Sequence, residues 1–155
     1  MRSFWDAAES WNSSSILIRL LFSLLAGFLI GIDRRIKMQN AGIKTHALVC
    51  VGSALVMITG QYMHENFGGL SDISRMGAQV ISGLGFLGVG TIIVTGKNQV
   101  RGLTTAAVLW ACACIGLAAG IGFLEGAALT LLLILVILRI FTKIDSWLVK
   151  NMRIF

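Results

Sequence analysis

The sequence predicts an all-α fold, a polytopic membrane bundle of about five transmembrane helices. Three observations carry this. Of the 155 residues, 56% are hydrophobic and only 13% charged, against about 25% charged in a soluble domain. The mean hydropathy is +0.84, and the apolar residues fall in long runs separated by short polar or basic stretches. Proline is absent while glycine occurs 18 times, so helix bending and close helix approach fall to glycine. Residues 1–155 read as a single transmembrane domain, with no room for a separate soluble one.

Each element has its own signal. Residues 1–14 are polar with Phe4, Trp5 and Trp11, a composition suited to a short helix at the membrane interface. They do not read as a cleavable signal, because the apolar run that follows ends in charges rather than small residues. Spans are expected over about 16–32, 45–62, 76–94, 103–121 and 124–140, each near the 20 residues that a bilayer requires. Gly68-Gly69 marks a turn before the third span. The tail is basic and amphipathic, with Lys143, Lys150 and Arg153 beside Trp147, Leu148 and Phe155.

The third span is the expected centre of the bundle. It is crowded with Gly83, Gly85, Gly88 and Gly90; with Gly27 and Gly31 of the first span, these are the expected helix-packing positions. Gly83-x-Gly85-x-x-Gly88 also matches the dinucleotide-binding fingerprint. That motif needs a preceding strand and an acidic residue about 20 positions on. Here it lies within a span, and no Asp or Glu occurs between Asp72 and Glu125. Close helix packing is the reading it supports. Cys50, Cys112 and Cys114 fall inside apolar runs without a metal or disulfide spacing and read as small packing residues.

The net charge of +6 does not point to nucleic acid, because the basic residues flank the apolar runs. The 33–44 loop, the 96–101 loop and the tail hold ten of the 13 Lys and Arg, and the opposite side holds five of the seven acids. The positive-inside rule then places the N-terminus outside and the C-terminal tail in the cytoplasm. There is also an internal echo. Gly27-Phe28-Leu29 precedes a basic loop and Gly42-Ile43-Lys44-Thr45; Gly85-Phe86-Leu87 precedes a second and Gly102-Leu103-Thr104-Thr105. Two parallel two-helix repeats plus a fifth helix follow from it.

Charged or polar side chains at span edges are the functional suspects. On the outer side Asp72, Arg75 and Gln79, joined by Arg19, form one expected cluster. Helix capping by Asp72 and snorkelling of Arg19 are the plain structural alternatives. On the cytoplasmic side Asp33, Arg34, Lys44, Thr45, Arg101, Thr104 and Thr105 form the other. Helix N-termini with hydroxyls and cations suit an anion there. Lys37 and Lys97 read as topology charges only. No catalytic pair is visible, since His46 and His64 lack a partner at usable spacing. No cofactor is expected. Mg2+ remains a candidate ion, but no carboxylate cage for it is visible.

These blocks together resemble the MgtC/SapB family of bacterial membrane proteins over nearly the whole chain. The resemblance rests on Gly31-Ile-Asp33-Arg34, Ala41-Gly42-Ile-Lys44-Thr45-His46-Ala-Leu-Val, Asp72-x-x-Arg75, Gln79-Val-Ile-Ser-Gly-Leu-Gly-Phe-Leu-Gly-Val-Gly90 and Val100-Arg101-Gly-Leu-Thr104-Thr105-Ala-Ala-x-Leu-Trp110. The family usually has Glu-Arg where this chain has Asp33-Arg34, and often Arg-Thr in place of Lys44-Thr45. The resemblance implies a multi-pass protein of the bacterial inner membrane, tied to growth in low magnesium, acid stress or survival inside host cells. For the best-known members it implies modulation of the membrane ATP synthase. Several members carry a cytoplasmic C-terminal regulatory domain, so this chain is expected to be a short member or a truncation.

Two classes of function follow. The first is a non-enzymatic protein acting through contacts in the bilayer, as a homo-oligomer and against a membrane complex such as ATP synthase. The second is a carrier or channel for Mg2+ or H+. A carrier needs a continuous polar path, and the middle of every span is apolar apart from Ser, Thr, Gly and Cys.

Overall fold

The computed structural model describes residues 12–67, 72–95 and 99–152. The expectations for Phe4, Trp5, Trp11, the Gly68-Gly69 turn, Lys97, Arg153 and Phe155 lie outside these residues.

The first helix, α1 (Ser13–Ile36), starts at Asn12, whose side chain accepts the Ser15 N–H at 2.8 Å. Its buried stripe is small or polar: Ser15, Arg19, Ser23, Ala26, Gly27, Ile30, Gly31, Asp33 and Arg34. Its leucines point the other way, with Leu17, Leu21, Leu24 and Leu25 exposed. A soluble helix buries its leucines. In lipid the hydrocarbon covers them, and small residues turn inward so that helices pack closely.

The glycines of α1 meet α2 (Ile43–Asn66) at backbone distance. A Cβ on Gly27 would lie 2.6 Å from the His46 carbonyl oxygen, and one on Gly31 would lie 2.5 Å from Ile43 Cα. The opposite side of α2 packs in the same way on α4 (Leu103–Gly120). A Cβ on Gly116 would lie 2.2 Å from the Cys50 carbonyl oxygen, and one on Gly120 would lie 2.4 Å from that of Ala54. Helix α2 is thus held between α1 and α4 by backbone contact. The core around it is formed by Ala26, Ile30, Cys50, Cys112, Ile115 and Ala119, closed at one side by Leu124, Ala127 and Leu138.

Helix α3 (Ile73–Thr91) runs from Asp72, packs on α2 and α4, and ends earlier than expected. Ile93–Thr95 (β1) pairs antiparallel with Gln99–Arg101 (β2), Val94 opposite Val100, in a two-stranded hairpin. Gly102 turns this hairpin into α4 with φ 96, and a Cβ there would lie 2.0 Å from the Thr91 carbonyl oxygen. Beyond α4, Gly122 at φ 95 makes the turn into α5 (Leu124–Val136). A π-helical turn, Ile137–Phe141, continues into α6 (Thr142–Met152). The expected fifth span and the basic tail are therefore parts of one helical rod.

Among the described residues, four helical stretches are long and apolar enough to cross a bilayer: Ser13–Ile36, Ile43–Asn66, Leu103–Gly120 and Leu124–Asn151. The expected third span is not among them. At 19 residues α3 is long enough, but Arg75, Gln79 and its glycines lower its hydropathy. Its glycines also depart from expectation. A Cβ on Gly83, Gly85 or Gly90 would meet nothing within 4 Å, and one on Gly88 would make an ordinary contact with Ala106. Backbone-distance packing falls at Gly27 and Gly31 of the expected set, and at Gly116 and Gly120 rather than at the α3 glycines. The internal echo is kept only in part, since Gly27 packs on α2 whereas the echoed Gly85 meets open space. α1–α2 and α3–α4 are both helix–loop–helix units whose second helix starts at a glycine, Gly42 or Gly102.

Substitution at the two kinds of glycine should separate cleanly. Gly116→Ala must push α2 and α4 apart, and overpacking of this kind costs roughly 1–3 kcal/mol or more. Gly52→Ala has open space around it, so helix propensity makes it neutral or stabilising by up to about 1 kcal/mol. Thermal unfolding of the two variants in detergent measures the difference.

Candidate functional site

The buried charged side chains, Arg19, Asp33 and Arg34, lie toward the two ends of the bundle. At the basic end, the last turn of α1 supplies Asp33 and Arg34, 7% and 3% exposed. Met38, at φ 52, folds the chain back after this turn. That reversal brings Gln39 over Arg34. Arg34 Nη2 donates to Gln39 Oε1 at 3.0 Å and to Thr105 Oγ1 at 3.2 Å, the second bond tying α1 to α4. Gln39 Nε2 is itself held by the Lys37 carbonyl at 3.2 Å.

Asp33 looks the other way. Lys37 Nζ lies 2.9 Å from Asp33 Oδ2, one helical turn on, and Arg139 Nε lies 3.9 Å from Oδ1. Lys37 Nζ also donates to the Leu138 carbonyl, which accepts the Thr142 hydroxyl at 2.7 Å as well. Leu138 and Arg139 belong to the π-helical turn, and such widened turns place backbone groups where an α-helix would not. Lys37, expected to be a topology charge only, therefore ties α1 to the fifth span.

Next to Arg34, His46 is fully buried. Its Nδ1 lies 2.8 Å from the Gly42 carbonyl. A carbonyl only accepts, so Nδ1 carries the proton. His46 Nε2 and Arg34 Nε are both buried without a hydrogen-bond partner.

The expected cytoplasmic cluster is only partly assembled. Arg34 and Thr105 meet. Thr104 is exposed but lines the same groove as Arg34, Lys37 and Gln39. Lys44 and Thr45 are exposed and line a different groove with Arg35, and Arg101 is exposed on β2. The N-termini of α2 and α4 thus do not build one site. Gln39, Lys37 and Arg139 were missed, since a reversal at Met38 and a π-helical turn leave no periodic mark.

The expected outer cluster separates. Arg19 is fully buried, not snorkelling. Its Nη1 donates to Gln61 Oε1 at 2.7 Å and to the Gly120 carbonyl at 3.0 Å. Gly120 ends α4, so the guanidinium sits at the negative end of that helix. Gly122 borders it: a Cβ there would lie 3.1 Å from Arg19 Nη2. Gln61 was overlooked, although a glutamine in an apolar span is itself the signal. Asp72, Arg75 and Gln79 are exposed. Asp72 Oδ1 accepts the Ser74 hydroxyl at 2.6 Å and the N–H groups of Ser74 and Arg75 at 3.0 and 3.3 Å. These bonds, the Ser74 hydroxyl first, hold its carboxyl below the usual range. Asp72 is the cap of α3.

Among the described residues no group of three or more His, Cys, Asp or Glu is placed to hold a metal ion. The residues at the basic end do not fit Mg2+. That ion wants one or two carboxylates plus water, whereas Asp33 already faces Lys37 and Arg139.

Membrane-length helices packed through small residues, with charge confined to their ends, define a polytopic helical membrane protein. The chain belongs to the MgtC family, whose profile matches residues 20–147. It is 40% identical over 130 residues to the "Putative magnesium transporter YhiD" of Escherichia coli K12, covering 79% of this chain and 60% of that protein. It is 36% identical over 132 residues to "Protein SapB" of Bacillus subtilis 168, covering 82% and 57%. Against "Protein MgtC" of Salmonella typhimurium LT2 the identity is 40% over 119 residues, covering 77% and 49%. The chain thus spans about half to three fifths of the length of these relatives. No solved structure matches it.

Two outcomes are expected from unfolding in detergent. Gln61→Leu removes one hydrogen bond from the buried Arg19 guanidinium, which keeps the Gly120 carbonyl, and should cost about 1.5–3 kcal/mol. The Asp72 cap gives a pH-dependent increment. Because its folded pKa lies below its unfolded one, the stabilisation is full above the unfolded pKa and is lost as pH falls through the folded value. Asp72→Asn keeps a capping side chain and should remove that dependence.

Proposed function

We propose that the chain is a non-enzymatic protein of the bacterial inner membrane that acts by helix contact with another membrane protein, in adaptation to magnesium limitation and acid stress. The observation that carries this reading is α3. Of its 19 residues only Leu84 is buried. Phe86, Leu87 and Val89 are exposed, and Gly83, Gly85 and Gly90 have open space around them. Exposed apolar side chains with small residues between them suit a transmembrane helix of another protein, because its backbone can approach closely. The expected partner is a membrane complex of the ATP synthase kind, with self-association as the other outcome of the test.

Transport of Mg2+ or H+ is the competing reading, and a relative's name includes the words "magnesium transporter". It requires a polar path between the two ends. The interior between them is Ala26, Ile30, Cys50, Ala54, Cys112 and Ile115. The Ser23 and Ser53 hydroxyls are turned onto their own helices, bonded to the Arg19 and Val49 carbonyls at 2.9 and 2.8 Å. That arrangement favours contact over conduction.

The test is Gly83→Ile with Gly90→Ile. Both positions are open, so the variant should fold and insert as the wild type does. It should lose growth support at low magnesium and lose its cross-linked membrane partner, or its cross-linked dimer if the partner is a second copy. Wild-type growth from the folded double variant would overturn the proposal.

A further inference from the structure

Two grooves meet at Lys37 and Thr142. One, of about 390 Å³, has Arg34, Lys37 and Thr104 on its polar wall and Ile137 and Phe141 on its apolar wall, with Asp145 beside them. The other, of about 240 Å³, is lined by Lys37, Arg139, Thr142, Lys143 and Ser146. Arg34, Lys37, Arg139 and Lys143 bring four positive charges to the pair of grooves, and Asp33 and Asp145 bring two negative ones. The difference, four minus two, leaves an excess of two positive charges.

Three features show that this charge is not consumed internally. Arg34 lines the groove and is 3% exposed, yet its Nε has no hydrogen-bond partner. Arg139 reaches Asp33 only at 3.9 Å, with its side chain 73% exposed. The Lys37 ammonium has three donors, of which one is hydrogen-bonded, to the Leu138 carbonyl, while Asp33 Oδ2 is an ion-pair partner at 2.9 Å.

The depth of the grooves follows from the rod that lines them. About 20 helical residues from Leu124 cross a hydrocarbon core and end near Lys143. Trp147, 60% exposed, comes one turn later, at the level where Trp marks the interface. A basic wall at headgroup depth beside an apolar wall is complementary to an amphiphile with a negative head.

We propose that these grooves bind an anionic phospholipid, its phosphate between Arg34, Lys37 and Arg139 and its acyl chain against Ile137 and Phe141. Basic pockets between transmembrane helices recognise such headgroups through charge. Inorganic phosphate shares the head chemistry but has nothing for the apolar wall.

The test is thermal unfolding of the full chain in neutral detergent, titrated with phosphatidylglycerol, with phosphatidylcholine or with inorganic phosphate. Phosphatidylglycerol should raise the midpoint, and the other two should not. Lys37→Gln and Arg139→Gln should each weaken the phosphatidylglycerol response about fivefold. Arg35→Gln removes a charge at the same end of the bundle but outside both grooves, and should leave the response unchanged. Arg139 is exposed, so its variant keeps the test readable if Lys37→Gln does not fold. Equal stabilisation by phosphatidylcholine, reproduction of the shift by phosphate alone, or a loss in Arg35→Gln as large as in Arg139→Gln would overturn the proposal.

Discussion

The contact of α2 with its two neighbours through bare backbone sets the rest of the structure. Gly27 and Gly31 bring α1 against it, and Gly116 and Gly120 bring α4 against the other side. No side chain separates the helices there, so little room remains in the middle of the bundle for water or for a large polar group. Lipid provides no hydrophobic drive between helices. Dispersion over this close seam, and the hydrogen bonds at its ends, must hold the bundle instead.

The placement of charge follows from that seam. With the centre closed by alanine, cysteine and isoleucine, the buried charges Arg19, Asp33 and Arg34 sit near the ends, and each meets a group from a neighbouring helix. Arg19 takes Gln61 of α2 and the last carbonyl of α4. Arg34 takes Thr105 at the first turn of α4. The two buried arginines of α1, Arg19 and Arg34, therefore grip α4, one at each end, with α2 packed against both helices. Lys37 extends the basic-end network to the π-helical turn. The outer surface of α3 takes no part in this closure, and this is why contact with another protein is assigned to it.

Much of this was legible in the residues. The long apolar runs and the absence of proline located the helices, and the basic loops located one end. Arg34 and Thr105 stood out because charge and hydroxyl groups at span edges are costly without a partner. Other features were hidden for physical reasons. Gly27 and Gly83 look alike in a string of letters, and only the facing helix decides which of them is a contact. Arg19 could snorkel or turn inward, and the choice depended on Gln61, 42 positions away. Lys37 looked like one more topology charge because its carbonyl partner sits in a π-helical turn, 101 positions on.

The central claim is that the bundle is closed at its centre and works through contact rather than conduction. Ion flux in liposomes carrying the purified, folded chain tests it most directly, with Mg2+- and pH-sensitive dyes inside. Flux no greater than from empty liposomes is expected, for the wild type and for Arg34→Ala alike. Flux of either ion through the wild type that disappears in Arg34→Ala would contradict it and place a pathway through the basic end of the bundle.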